Sequence, residues 1–240
     1  MAIIGISGYS GAGKDTVGRI IQYLNCYNVG SVPVQEAVHA EHDWWMEEQS
    51  GWEIKKFAGK LKQIASILTG IPIQKFEDQE FKKKTLGPEW SRRELYESKA
   101  PWIAVGEYIE IPMTVRELLQ KLGTEGLRTG LHENVWLNAL YADYKEEYVG
   151  PDPEGEDIYS LPNWIITDCR FPNEAQSIKD RDGIIIRVER PGLTQINDHP
   201  SEHSLDSWSF DYKIINDGDL DKLTVQVRNI LEKENLLKHA

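Results

Sequence analysis

The hydrophobic pattern changes period within the first two dozen residues. Residues 2–7 are short, apolar and β-branched and end at Gly8, the signature of a buried strand. A glycine-rich turn follows, and from Lys14 to about Leu24 apolar residues recur at helical spacing. The chain therefore opens strand, glycine loop, helix. Residues 28–52, with His39, His42, Trp44, Trp45 and several acids, predict a loop and an irregular helix. From Ala58 to about Leu68, the positions Leu61, Ile64, Ala65 and Leu68 share a face and predict a helix that Gly70 and Pro72 stop. Thr114 predicts an N-cap, with Glu117 three residues on completing a capping box. That helix carries Val115, Leu118, Leu119 and Leu122 on one face, and Gly123 breaks the pattern. Asn134 opens another helix, predicted to reach about Glu147. The stretch 150–162 is acidic and rich in Pro and Gly, and predicts a surface loop. Three strand candidates follow at 164–167, 183–188 and 212–215, the first two separated by a helix over 173–180. A final amphipathic helix is predicted from Asp219 to about Leu237.

Apolar strands alternating with helices indicate an α/β fold with a mainly parallel sheet. Residues 75–112 break the alternation. They hold a basic run (Lys82, Lys83, Lys84), Trp90, Trp102 and a hairpin candidate around Gly106. The reading is one domain over 1–240 with an insertion at about 75–112.

Composition narrows the partners. The chain has 240 residues and a net charge of −12, so it repels nucleic-acid polymers and anionic membranes at long range. Any phosphate it binds must meet a local, enclosed group of cations and backbone amides. Eight Trp and ten Tyr exceed what a core needs, so some are expected to line a cleft or stack on a flat ligand. Cys26 and Cys169 are the two cysteines and offer neither metal-ligand spacing nor a disulfide framework, as expected in a reducing cytoplasm. The first residues lack a basic leader and read as no signal peptide. No apolar stretch approaches the roughly 20 residues of a membrane helix. His199 and His203 stand four apart, but Pro200 lies between them and spoils a regular helix.

The strongest chemical signal is Gly8-Tyr9-Ser10-Gly11-Ala12-Gly13-Lys14-Asp15-Thr16. It fits G-x-x-x-x-G-K between a strand and a helix, with Asp15 at the usual Ser/Thr position. Glycines let successive N–H groups converge on one anion, the helix start adds its positive dipole end, and Lys14 adds a full charge for β- and γ-phosphates. A plain glycine turn is the ordinary alternative, but spacing, lysine, strand and helix all agree on a phosphate loop. Thr16, next to the departure at Asp15, can serve as the hydroxyl for Mg²⁺ carried in with ATP.

Phosphoryl transfer also needs an acid near the metal and cations around the acceptor. Asp168 ends the strand candidate 164–167, at the sheet edge where open α/β folds bind ligands. Arg170 lies two residues on, and Glu174 opens the next helix. Arg116 sits in the Thr114-capped helix, before Gly123-Thr124-Glu125-Gly126. Each also has an ordinary reading: a capping acid, or a solvated arginine. Lys60 and Lys62 carry the same ambiguity, and Trp136, among Val135, Leu137 and Leu140, reads on its own as core.

At these residues the chain resembles the phage-type deoxynucleoside monophosphate kinases. The matching stretches are Ser7 to Thr16, Phe57-Ala58-Gly59-Lys60-Leu61-Lys62, Arg116 to Glu125, Trp136, Asp168-Cys169-Arg170, Arg190-Pro191-Gly192, His199-Pro200-Ser201-Glu202 and Asn216-Asp217-Gly218. The Gly-Lys-Asp-Thr form of the loop is itself typical of that family. The resemblance implies a P-loop NTPase-type three-layer fold with an inserted acceptor-binding or lid region. It implies that Gly11, Ala12, Gly13, Lys14, Asp15 and Thr16 hold ATP phosphates and Mg²⁺. It also implies that Leu61, Lys62, Arg116, Gly123, Trp136, Asp168, Arg170 and Glu174 form the acceptor side, with Lys14, Arg116, Asp168 and Arg170 in the catalytic set. The expected substrate is a deoxynucleoside monophosphate, in an infected host's cytoplasm. Some members of the family dimerise, so a homodimer is left open. Two rivals share the loop: a dephospho-coenzyme A or other small-metabolite kinase, and an ATP-binding regulatory protein with slow hydrolysis.

Overall fold

The computed structural model describes residues 2–27, 32–39, 43–95, 108–193 and 203–238. In chain order the first elements are β1 (Ile3–Ser7), α1 (Lys14–Asn25), α2 (Val34–Ala37), α3 (Asp43–Ser50), β2 (Trp52–Lys55), α4 (Gly59–Thr69), β3 (Arg92–Leu95), β4 (Tyr108–Ile111) and α5 (Val115–Gln120). Then come α6 (Val135–Tyr141), β5 (Glu147–Pro151), β6 (Asp157–Ser160), β7 (Asn163–Ile166), α7 (Pro172–Lys179), β8 (Ile184–Glu189), β9 (Tyr212–Ile215) and α8 (Leu220–Lys233). A π-helix over Lys121–Thr129 continues α5. By contacts the chain forms two compact units, 1–57 with 137–240, and 58–136.

The first unit is built on a five-stranded sheet in the order β2-β7-β1-β8-β9, parallel at every pairing. Strands covered on both faces read as unbroken apolar runs rather than alternating ones, and β1 is buried at all five positions. One face sends Ile4, Ile6, Ile186, Val188 and Ile214 into a cluster with Val17, Ile20 and Ile21 of α1 and Leu223, Val227 and Leu231 of α8. Each such side chain removed from water contributes about 1.5–3 kcal/mol. On the other face Gly5 leaves room for α7, since a Cβ there would stand 2.6 Å from Ile178 Cδ1. Farther along that face Tyr141 of α6 stacks on the buried Trp164 with centroids 6.2 Å apart. Helices thus cover both faces in three layers, the P-loop-type architecture expected from the sequence.

The second unit packs α4 and α5 around Ala65, Phe76, Val115 and Leu118. The predicted capping box is present: Glu117 N–H donates to Thr114 Oγ1 at 3.2 Å, and Thr114 N–H to Glu117 Oε2 at 2.7 Å. β3 and β4 pair antiparallel from Arg92↔Ile111 to Leu95↔Tyr108. The hairpin candidate's Gly106, like His42, Trp102 and residues 199–202, lies outside the described residues.

Four expectations are corrected. The stretch 150–162 is not a plain loop, because β5 and β6 pair antiparallel across it with a register shift at Tyr148/Gly150. A hairpin exposed on both faces has no apolar alternation to reveal it, and Pro and Gly sit at its turn. The helix opened near Asn134 ends at Tyr141, where Asp143 and Tyr144 N–H close tight turns onto Leu140 and Tyr141 carbonyls. Gly123 does not stop the α5 helix. It lies inside the π-helix, whose wide turns run on to Gly130 N–H bonding Glu125 O at 3.1 Å. Within residues 28–52, expected to give a loop and an irregular helix, the described residues form two helices, α2 and α3, and the sheet-edge strand β2 begins at Trp52.

Candidate active site

The phosphate loop leaves the carboxyl end of the central strand β1. Two of its glycines are dictated by space. A Cβ on Gly8 would lie 2.4 Å from the Val188 carbonyl oxygen, a backbone atom that cannot step aside. Gly13, the N-cap of α1, has φ 100°, and a Cβ there would meet Asn216 Nδ2 at 2.6 Å. Asn216 Nδ2 in turn donates to the Ala12 carbonyl at 2.8 Å, so the loop's crest is pinned from the end of β9. The ammonium of Lys14 folds back over the loop, donating to Gly8 O at 2.7 Å and Tyr9 O at 2.9 Å. Tyr9 O also accepts from Ala12 N–H at 3.1 Å. The first amides of α1 have no intrahelical partner by construction and, with Lys14, form an anion-seeking end. Gly11, Ala12, Gly13, Lys14, Asp15 and Thr16 are therefore brought together as one structural unit.

Asp15 binds sideways. Its Oδ1 accepts the Thr167 hydroxyl at 2.6 Å and faces Lys56 Nζ at 3.2 Å. Burial works against its charge, but Lys56 and the Thr167 hydrogen bond outweigh it and hold the carboxyl below its ordinary range. The residue that replaces the usual hydroxyl thus ties α1 to the ends of β7 and β2. Neither Thr167 nor Lys56 stood out in the sequence. An acid where a hydroxyl is usual was the signal that a partner had to exist.

Asp168 follows β7 at the carboxyl edge of the sheet, and its Oδ1 accepts Phe57 N–H at 2.7 Å. Glu174, 2% exposed, accepts from Arg170 N–H at 2.9 Å and Phe171 N–H at 3.1 Å. Its carboxylate shapes the turn that presents Arg170 and satisfies amides at the start of α7. Cys169 is sealed in, and burial, reinforced by Glu174 and Asp168, pushes its thiol well above the ordinary value. It is not a nucleophile at neutral pH.

In the second unit Lys62 is buried and pairs with Glu77 at 2.5 Å. Leu61 packs against Gly123, where a Cβ would approach Leu61 Cδ2 to 2.9 Å. Trp136, 5% exposed, spends its indole N–H on the Gly123 carbonyl at 2.9 Å. Leu61, Gly123 and Trp136 therefore form one contact chain. Arg116 lies on α5 and donates to Gln79 Oε1 at 3.3 Å. Among the described residues no three His, Cys, Asp or Glu side chains gather as a metal cage. None of the described helices is long and apolar enough to cross a membrane.

A glycine loop capped by a lysine on the central parallel strand, with an acid at the end of the neighbouring strand, defines a nucleotide-phosphate-binding α/β protein of the kinase type. A family model described as deoxynucleotide monophosphate kinase matches residues 76–227, and the chain belongs to that family. It is 27% identical to the deoxynucleoside-5′-monophosphate kinase of Escherichia phage T5, over 97% of this chain and 96% of that protein. It is 29% identical to the deoxynucleotide monophosphate kinase of Enterobacteria phage T4, over 52% of this chain and 48% of that one. The family match begins after the phosphate loop, whereas the T5 similarity spans nearly the whole chain. Neither the dephospho-coenzyme A kinase nor the regulatory reading is favoured by these matches.

Proposed function

We propose that this protein transfers the γ-phosphoryl group of ATP to the 5′-phosphate of a deoxynucleoside monophosphate. The observation that carries the reading is Lys14, held over the Gly8 and Tyr9 carbonyls at the head of a left-handed glycine cap, in a chain of this family.

An acceptor phosphate oxygen attacks the γ-phosphorus in line, the bond to the β,γ-bridging oxygen breaks, and ADP leaves with those electrons. The acceptor oxygen is already anionic, so no strong general base is required. The protein's work is neutralisation and alignment. Lys14 and the first amides of α1 hold the triphosphate and offset charge on the transferring group. Asp15 contributes by bracing α1 through Thr167 and Lys56 rather than by touching phosphate. Arg170, presented by the Glu174-held turn, adds a cation at the sheet edge. In the second unit Arg116 and Lys62 supply cations for an acceptor phosphate, and Leu61, Gly123 and Trp136 form an apolar wall for a base.

Magnesium carried in with the triphosphate would supply positive charge against the phosphates. Such an ion would need only one or two oxygen ligands from the protein. The Thr16 hydroxyl in the first turn of α1 and the Asp168 carboxylate fit that modest demand. A coupled assay of ADP release with dGMP, dTMP, dAMP, dCMP and dephospho-coenzyme A tests the reading. Release that depends on a deoxynucleotide supports it, and release indifferent to any acceptor rejects it.

A further inference from the structure

β8 carries a charge where a core strand should be apolar. Arg187 sits in the run Ile184–Glu189 with its side chain 7% exposed. An arginine cannot shed its proton, so burial at that depth requires partners. Nη1 donates to Ser7 Oγ, the last residue of β1, at 3.3 Å, and Nη2 to Asp206 Oδ1 at 3.2 Å. The guanidinium also lies 4.7 Å from the Tyr9 ring centroid and 5.4 Å from that of Phe210. Tyr9 closes the circuit, its hydroxyl donating to the same Asp206 Oδ1 at 3.0 Å. His203 Nδ1 stands 3.0 Å from the other oxygen.

Tyr9 is the first residue of the phosphate loop after Gly8. Its ring is fixed by Arg187 and its hydroxyl by Asp206, while its carbonyl accepts both the Lys14 ammonium and the Ala12 amide. We infer that Arg187, Tyr9 and Asp206 form a positioning unit that sets the place of the Lys14 ammonium by fixing the Tyr9 carbonyl. None of the three needs to touch the nucleotide. The inference rests on the reading of Gly8 to Thr16 as the ATP-phosphate loop. It adds that loop's support from beneath, from a strand and a segment that carry no phosphate-binding motif. A buried cation stacked under the loop also raises the local potential where the triphosphate tail is held.

The test compares wild type with Tyr9→Phe, Asp206→Asn, Arg187→Lys and Arg187→Met. ATP and acceptor KM, kcat, ATP binding by calorimetry and thermal melting are measured for each. Tyr9→Phe keeps the ring and loses one charge-assisted hydrogen bond. It is expected to raise the ATP KM about tenfold, with acceptor KM at saturating ATP unchanged and the melting transition retained. Asp206→Asn should do the same. Arg187→Met should be worse, and Arg187→Lys should recover part of the loss by restoring charge without the planar fork. Should Tyr9→Phe and Asp206→Asn fold with wild-type ATP KM, the positioning role is overturned while the loop keeps its own. Wild-type protein that binds no ATP overturns the loop assignment itself, and this inference with it. Loss of melting temperature in all variants with ATP KM unmoved reduces Arg187 to core structure.

Discussion

Adding one methyl group at Gly13 should weaken both the fold and the grip on ATP, by an amount the geometry sets. Gly13 holds φ 100°, a conformation that costs an L-residue about 1–2 kcal/mol. The new Cβ would lie 2.6 Å from Asn216 Nδ2, so that amide must move and surrender its 2.8 Å bond to Ala12 O. That loss adds about 1 kcal/mol. The total, about 2–3 kcal/mol, corresponds to about 4–12 °C of melting temperature for a chain of this size. The two parts separate in a double-mutant cycle by circular-dichroism melts of Gly13→Ala, Asn216→Ala and the pair. With Asn216 already truncated only the conformational part remains, so Gly13→Ala should cost about 1 kcal/mol less in that background. Equal cost in both backgrounds refutes the contact argument, and a Gly13→Ala melt within a degree of wild type refutes the conformational one.

Lys14→Ala should fold normally yet lose about two to three orders of magnitude in kcat; near-normal turnover of the folded variant in a steady-state assay removes Lys14 from the mechanism. Arg116→Ala should raise the KM of the deoxynucleoside monophosphate more than that of ATP, and an unchanged acceptor KM rejects its placement. The Asp15 carboxyl is held below its ordinary value of 3.8. Its bracing is therefore present above that value and lost as pH falls through the lower folded-state pKa. Asp15→Asn should show a shallower acid loss of melting temperature than wild type as pH is lowered through and below 3.8, and superimposable acid limbs would contradict the brace.

The opening strand, glycine loop and helix were readable because period, spacing and charge coincide within 25 residues. So were the Thr114–Glu117 cap and the strand that leads to Asp168, each set by local chemistry. What stayed hidden depends on contacts far along the chain. Asn216 belonged to a recognised stretch, but nothing local says that its amide reaches Ala12, 204 residues away. Arg187 left a trace, a cation set between Ile184-Ile185-Ile186 and Val188, which demands partners without naming them. The acceptor-side role of Glu174 is what the resemblance implies, and the residues themselves say only that it opens a helix. Its burial and its two amide bonds tie it to the turn itself. Trp136 could be core or base platform by sequence. The structure gives it a buried ring and an indole bonded to Gly123. β2 escaped because Glu53 and Lys55 break its apolar run, as an edge strand with a wet flank allows.

The chain departs after Phe57 and returns along α6, and the rings of Phe57 and Tyr141 meet edge to face with centroids 6.4 Å apart. The whole excursion of residues 58–136 therefore begins and ends at one doorway. Closing such a loop depends only weakly on how long it is, about 0.6 kcal/mol per doubling. A change in its length is therefore expected to cost the five-stranded sheet little. Lys62, Arg116 and Gly123 all lie within that excursion. On the proposed function, that part of the acceptor side can be exchanged by cutting the chain at this one doorway, a change for an acceptor-specificity assay to read.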